Sequence, residues 1–225
     1  MTEYPPGIVV VPTGEMSRFT AFWISLFGLK VPPGSRVSLT QGISIVENLN
    51  ISIRTMLMPN PEMAWAWIIA DDHTFRSDIL YRLLAHDKEI VVPLCALRSA
   101  PFRPSVYRDT PERVCAPVEW SDIPATGLTS IDGTGYAGGL FKRTVFEKLG
   151  DPWWDPGPSG PRAPHWGEDL WFCRKVRNAG FAIWLDPEIH VGHITTCILD
   201  PTRTAEGGWG VAADMGHQIV PPTAD

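Results

Sequence analysis

The sequence predicts an α/β domain, and three observations carry that prediction. Short, strongly apolar runs alternate with segments of helical periodicity from the N-terminal region to Leu97. These segments are punctuated by Pro, Gly or abrupt charge, as buried strands and their connections are. The chain has 225 residues, 44% hydrophobic and 20% charged, enough for one large domain with a substantial core.

In chain order, "GIVVVPTG", closed by Pro12 and Gly14, reads as a first buried strand. "MSRFTAFWISLFGL" follows as a helix that stops before "VPPG", and the alternation in "SRVSLTQG" predicts a second strand. "SIVENLNISIRTMLM" places Ile45, Leu49, Ile53 and Leu57 at helical spacing and ends before Pro59. "AWAWIIA" is the third strand. "SDILYRLLAHD" is a helix with Ser77 placed to cap it and Asp78 favoured in its first turn, and "EIVVPLCAL" is the fourth strand. From Arg98 to Pro124 the chain turns irregular and rich in Pro and Arg. "GYAGGLFKRTVFEKLG" predicts a Gly-rich turn and a helix stopped by Gly150, and "DPWWDPGPSGPRAPHW" predicts a loop. "GEDLWFCRKVRNAG" is a helix starting near Glu168 and closed by Gly180, followed by a strand "FAIWLD" and by "PEIHVGHI". The expected domain is 1–199, with 200–225 as a C-terminal strap or tail. No internal repeat is visible.

Composition narrows the function. The net charge of −6, with no Lys/Arg run, argues against a surface built as a whole to grip nucleic acid, because that affinity comes from neutralising phosphates. A local basic edge in "RSAPFRPSVYRDTPERV" is compatible with it. No apolar run reaches the roughly 18 residues of a membrane span, and "FTAFWISLFGL" reads as a buried helix. "MTEYPPGIVVVPTG" lacks the basic lead and apolar segment of a secretory signal. The four cysteines (Cys95, Cys115, Cys173, Cys197) have no C-x-x-C spacing, so free thiols and a cytoplasmic location are expected.

Three stretches concentrate chemistry. "AWAWIIADDHTF" ends a buried run in Asp71, Asp72 and His73, at the sheet edge where α/β folds bind ligands. Those acids either solvate a turn or hold a divalent cation with a nucleotide diphosphate. "WGEDLWFCRKVRNAG" sets Glu168 and Asp169 at a helix start. The helix dipole alone explains them, or one is a base that takes a proton from a hydroxyl. Trp153, Trp154 and Trp166 crowd the preceding loop, where flat rings suit either a core or a sugar. "DPEIHVGHI" offers His190 and His193, core histidines or members of a metal site.

Taken together and in this order, "VPTG", "ISIRTMLM", "WIIADDHTF", "GGLFKRTVFEKLG" and "GEDLWFCRKVRNAGFAIWLDPEIHVGHI" resemble nucleotide-sugar glycosyltransferases of the A-type fold. The sequence is similar to the single-domain bacterial and phage enzymes related to family 2, over roughly Gly7 to Thr196. The resemblance implies a mixed, mostly parallel sheet flanked by helices, with a donor-binding half to about residue 97 and an acceptor half from 98 to 199. It implies transfer of a sugar from a nucleotide diphosphate, UDP above all, to a hydroxyl of a glycan, small molecule, protein or modified DNA base, with Mn²⁺ or Mg²⁺ as cofactor.

Residue by residue, the resemblance sets Pro12 and Thr13 beside the nucleotide base and Arg54 and Asp71 toward the donor. Gly138 and Gly139 would let the backbone pass close to the sugar. Asp72 matches the second acid of an Asp-x-Asp motif whose first position here is Ala70; Asp71-Asp72-His73 equally fits an Asp-x-His register. His73 and His193 complete the metal set. Asp169 matches an inverting base and Glu168 a sugar- or acceptor-binding neighbour, with Trp153, Trp154 and Trp166 lining the acceptor side. The loop Pro156–Pro164 is expected to act as a lid. Two alternatives keep the fold: the same catalyst acting on a hydroxymethylated base in DNA, and a non-catalytic nucleotide-sugar-binding module.

Overall fold

The computed structural model describes residues 3–14, 19–42, 44–98, 101–111, 114–135, 137–158, 167–195, 198–214 and 219–220. The N-terminal half runs β1 (Ile8–Thr13), α1 (Thr20–Phe27), β2 (Arg36–Gln41), α2 (Ile45–Ser52), β3 (Trp65–Ile69), β4 (His73–Phe75), α3 (Ile79–Leu84) and β5 (Ile90–Leu94). Short strands β6 (Val106–Arg108), β7 (Ala116–Pro117), β8 (Thr129–Ile131) and β9 (Gly133–Thr134) follow. The chain continues with β10 (Ala137–Lys142), α4 (Arg143–Leu149), α5 (Glu168–Asn178), β11 (Ile183–Ile194), β12 (Ile198–Arg203), β13 (Trp209–Asp214) and β14 (Ile219–Val220).

The large sheet has the order β14-β13-β12-β11-β5-β10-β3-β1-β2. β2, β1 and β3 are mutually parallel and β5 is parallel to β11, while β10 runs antiparallel between β3 and β5. The sheet is therefore mixed, and the carboxyl ends of β1, β3, β5 and β11 gather at one edge. Both faces are covered, which is why the strands read as unbroken apolar runs. Ile8, Val10, Ala66 and Ile68 pack toward α2, α4 and α5; Val9, Val11, Trp67 and Ile69 pack toward α1 and α3.

Several expectations are corrected by the packing. The Gly-rich segment is not a turn but the central strand β10: Gly138, at φ +82°, makes a β-bulge opposite the end of β3. Its carbonyl accepts the Trp67 indole N–H at 2.7 Å. Ser77 does not cap α3; the N-cap is Asp78, without a capping bond, and its carboxylate takes the Arg76 guanidinium instead. After α2, residues Ile53–Leu57 widen into a π-turn, whose end is closed when Arg143 donates to the carbonyls of Leu57, Met58 and Asn60 at 2.7–3.0 Å. From Asp200 on, the expected strap or tail adds strands to the sheet, and Trp209 is buried against the core.

Candidate active site

β3 is buried along its length and ends at Ile69; the turn at residues 70–72 then throws the chain into β4. β4 pairs antiparallel with the end of β11, and the register sets His73 opposite His193. Their rings stack at 4.4 Å and 18°. The Ile194 N–H donates to the Asp72 carbonyl at 2.7 Å, which latches the turn. Gly192 precedes His193 for a steric reason: a Cβ there would lie 2.5 Å from both the Asp200 carboxylate and the Thr74 hydroxyl, which pack across the strand.

Asp72 is the hub. Its Oδ1 accepts from His73 Nδ1 at 2.9 Å, its Oδ2 accepts from Arg98 at 2.9 Å, and His193 Nε2 lies 3.5 Å from Oδ2. Burial opposes its ionisation, but the hydrogen bonds from His193 and His73 outweigh that and hold the carboxyl well below the usual range. His73 is 4% exposed, and burial pushes its pKa down, keeping the ring neutral.

The tautomers follow from the partners. His73 Nδ1 faces only acceptors, the Asp72 carboxylate and the Ala70 carbonyl (3.3 Å), so it carries the proton. Its buried Nε2 has no hydrogen-bond partner among the described residues. His193 Nδ1 lies 2.8 Å from the Ala96 carbonyl and must donate to it. Its Nε2, 3.5 Å from Asp72 Oδ2, therefore sits well beside that carboxylate only with a second proton or a cation between them. An orphan imidazole nitrogen, a second one facing a carboxylate, and a carboxylate kept ionised are a donor set that fits a divalent first-row metal.

Cys95, the residue after β5, completes this edge. Its sulfur and one nitrogen each of His73 and His193 lie within 4.8 Å of one another. Burial, with Asp72 and Asp200 nearby, pushes its thiol pKa up. Neither Cys95 nor Asp200 stood out in the sequence as a site residue. The signal for Cys95 was its position, directly after a buried strand as Asp71 and Asp72 are after β3. Arg98 was noted only as the start of the Arg-bearing stretch; here it is the cation that reaches Asp72.

Asp169 sits half-buried in the first turn of α5, where Gly167 provides no side-chain cap. Oδ1 accepts from the Leu170 N–H at 2.7 Å, yet burial, with the adjacent Glu168 charge, pushes its carboxyl up to about 6. Gly135 leaves space beside it, since a Cβ there would lie 3.4 Å from Asp169 Oδ2 and 3.2 Å from Ser105 Oγ. Ser105 in turn donates its N–H to the Cys95 carbonyl at 2.8 Å. One residue thus links the neighbourhood of Asp169 to the histidine–cysteine edge.

The other expected residues fall as follows. Pro12 and Thr13 end β1 at the same edge, with the Thr13 hydroxyl donating to the Thr40 carbonyl at 3.0 Å. Asp71 lies partly buried beside Asp72, and Gly138 and Gly139 open β10 alongside. Arg54 directs its guanidinium elsewhere: it forks onto Asp151 at 2.7 and 2.8 Å and also meets Glu47. Trp153 and Trp154 are core residues, 3% and 1% exposed, so they form no acceptor platform. Trp154 stacks on Phe172 at 4.4 Å and its backbone is clamped by the Asn50 amide, while the Trp153 indole donates to the Phe146 carbonyl. Burying such large rings is worth more than displaying them. Trp166 and most of the Pro156–Pro164 loop lie outside the described residues; the start of that loop is tethered by Lys175 to Asp155 at 2.6 Å. His190 Nε2 donates to the Pro187 carbonyl at 2.8 Å, within the bulged stretch of β11, and the ring packs edge-on to Trp209. An apolar cavity of about 400 Å³, lined by Tyr4, Trp65, Leu83 and Leu140, opens at the opposite, amino-terminal end of β3.

No family model matches the sequence, and no curated protein does. Solved structures do. "Crystal Structure of A197 from STIV" superposes with a TM-score of 0.60 at 13% identity, covering 98% of this chain and 95% of that one. "Crystal structure of GalNAc-T7 with UDP, GalNAc and Mn2+" gives 0.55 at 12%, covering 85% of this chain and 44% of that one. The chain thus spans less than half of the GalNAc-T7 chain. At such identities the likeness is one of fold, and the fold is glycosyltransferase-like. No described helix is long and apolar enough to cross a membrane.

Proposed function

We propose that the chain is a metal-dependent glycosyltransferase that moves a sugar from a nucleotide diphosphate, UDP first among them, to an acceptor hydroxyl. The observation that carries this reading is the Asp72–His73–His193 constellation at the carboxyl edge of a glycosyltransferase-like sheet. Support comes from the likeness to a structure solved with UDP, GalNAc and Mn²⁺. His73 and His193 would hold the cation, with Asp72 orienting His73 and supplying negative charge beside it; when bound, the cation would neutralise charge growing on the leaving diphosphate.

The chain's own residues supply the rest. Arg98 adds a guanidinium at the same edge, suited to phosphate oxygens. Pro12, Thr13 and Asp71 border the donor, and Gly138 and Gly139 would let the β10 backbone pass close to the sugar. Asp169, with a pKa near 6, is ionised at neutral pH yet basic enough to draw the proton from an attacking hydroxyl. Attack from that side, in line with the leaving group, inverts the anomeric carbon; Glu168 positions the acceptor.

The direct test is release of nucleoside diphosphate from a panel of nucleotide sugars with Mn²⁺, Mg²⁺ or Zn²⁺, with and without acceptors. Cation-dependent release that chelator abolishes and added cation restores is the expected result. Absence of both binding and turnover across the panel would overturn the reading.

A further inference from the structure

The donor atoms at the histidine pair are not those an oxygen-seeking ion selects. Mg²⁺ takes oxygen ligands almost alone, and Mn²⁺ sites lean on carboxylates, carbonyls and water. The carboxylate that touches the histidines, Asp72, is already shared by His73 Nδ1 and Arg98. Against it stand two imidazoles and a buried sulfur within 4.8 Å of one another. Both Nδ1 atoms are committed to oxygen acceptors, which fixes the tautomers and leaves each Nε2 lone pair for a ligand. His73 Nε2 is buried and unpartnered among the described residues, and it is the costliest loose end of the site.

We propose that Cys95 joins His73 and His193 as the third protein ligand of a zinc-class cation, leaving a fourth position open to a water or substrate oxygen. Imidazole nitrogen and thiolate are the ligands zinc takes, with bonds of about 2.0–2.1 and 2.3 Å. Tetrahedral ligation needs donor separations of about 3.5 Å, so the three side chains must draw together as the ion binds. Each ligand lies within one residue of a strand end, His73 at the start of β4, Cys95 just after β5 and His193 just before the end of β11.

The surroundings have the form of ligands with their supports. The His73 Nδ1–H to Asp72 bond is a carboxylate–histidine pair that orients the ring and strengthens its other nitrogen as a donor. The Ala96 carbonyl does the same for His193 and now also accepts the Cys95 S–H, whose proton would leave to solvent on ligation. Three protein ligands and an open position are the pattern of a reactive zinc site, not of a closed structural one. The proposal concerns the ion at the site described above, and its test involves neither donor nor acceptor, so it can fail while the transferase reading stands.

Chelator-treated full-length protein is titrated with Co²⁺, then with Zn²⁺. One equivalent of Co²⁺ should bind with a sulfur-to-cobalt charge-transfer band, and Zn²⁺ should displace it. Cys95→Ser should lose the band and weaken Zn²⁺ binding on the order of tenfold to a hundredfold, with Mn²⁺ binding unchanged. Its melting curve in chelator should match that of the unmodified chain, and Cys115→Ser should keep the band. A wild-type cobalt complex without the band would overturn the proposal with no variant needed. So would Zn²⁺ binding equally tightly to Cys95→Ser and wild type.

Discussion

Two aspartates on this molecule are held in opposite electrostatic states. Asp72, after β3, is ringed by His73, His193 and Arg98 and is fixed as an anion. Asp169, at the start of α5, has only backbone donors among the described residues, the Leu170 N–H and its own, beside a neighbouring carboxylate and a desolvating pocket, and its pKa sits at about 6. A helix N-terminus ordinarily favours ionisation, so at Asp169 burial and Glu168 together overcome the dipole. Groups of one chemical type driven apart in this way suit different tasks. A permanent anion suits a cation; a carboxylate titrating just below neutrality suits proton transfer.

The largest effect expected from that contrast is at Asp169. Asp169→Asn keeps the shape and removes the basicity, so turnover should fall by a factor on the order of a hundred to ten thousand while donor binding persists. Stability should move the other way. The raised value means that ionised Asp169 burdens the fold, fully above pH 6 and hardly at all near pH 4, where the fold keeps the proton. Removing the charge should therefore stabilise the protein by about 1–3 kcal/mol at pH 7.5, with the gain fading by pH 4. If Asp169 only complements the helix dipole, the variant instead loses about 0.3–1 kcal/mol and keeps its turnover. Melting curves at the two pH values, read beside kcat, separate the cases.

Asp72→Asn comes next, and it should spare the chemistry of the base while weakening the hold on the cation. The amide cannot serve His73 Nδ1 and Arg98 as an anion, so His73 loses the partner that orients it. Cation affinity should drop on the order of tenfold to a hundredfold, and the stabilisation of the protein by cation plus nucleoside diphosphate should drop with it. Unchanged thermal shifts with cation and nucleotide would separate Asp72 from the site.

Much of this frame was legible in the sequence, and the reasons for the gaps are physical. A sheet buried on both faces writes its strands as continuous apolar runs, so β1, β3 and β5 could be read directly. Asp71, Asp72 and His73 stood out because charge ends such a run abruptly. Gly138 and Gly139 were misread as a turn because glycine marks a bulge and a turn alike, and only the pairing of β10 with β3 tells them apart. Trp153 and Trp154 lay in a Pro-rich loop, and local composition does not reveal that Asn50 and Phe172 draw them inward. Cys95 meets its histidines only through the register of three strand ends. The raised pKa of Asp169 likewise depends on burial supplied by distant segments, while the sequence showed only its helix start.

The smallest effect is the finest probe of the same contrast. Glu168 lies next to Asp169, and its negative charge adds to burial in raising the Asp169 pKa. If Asp169 is the base, activity should decline about tenfold per pH unit below its pKa, since only the ionised form accepts a proton. Glu168→Gln removes the neighbouring charge and leaves burial in place. The acidic limb of the kcat profile should then move toward lower pH, but by less than the whole displacement from the ordinary carboxylate value of 3.8, because burial is the larger cause. Any loss of acceptor positioning should show separately in KM. A limb that stays where it was, with only KM altered, would mean that the titrating group is not Asp169.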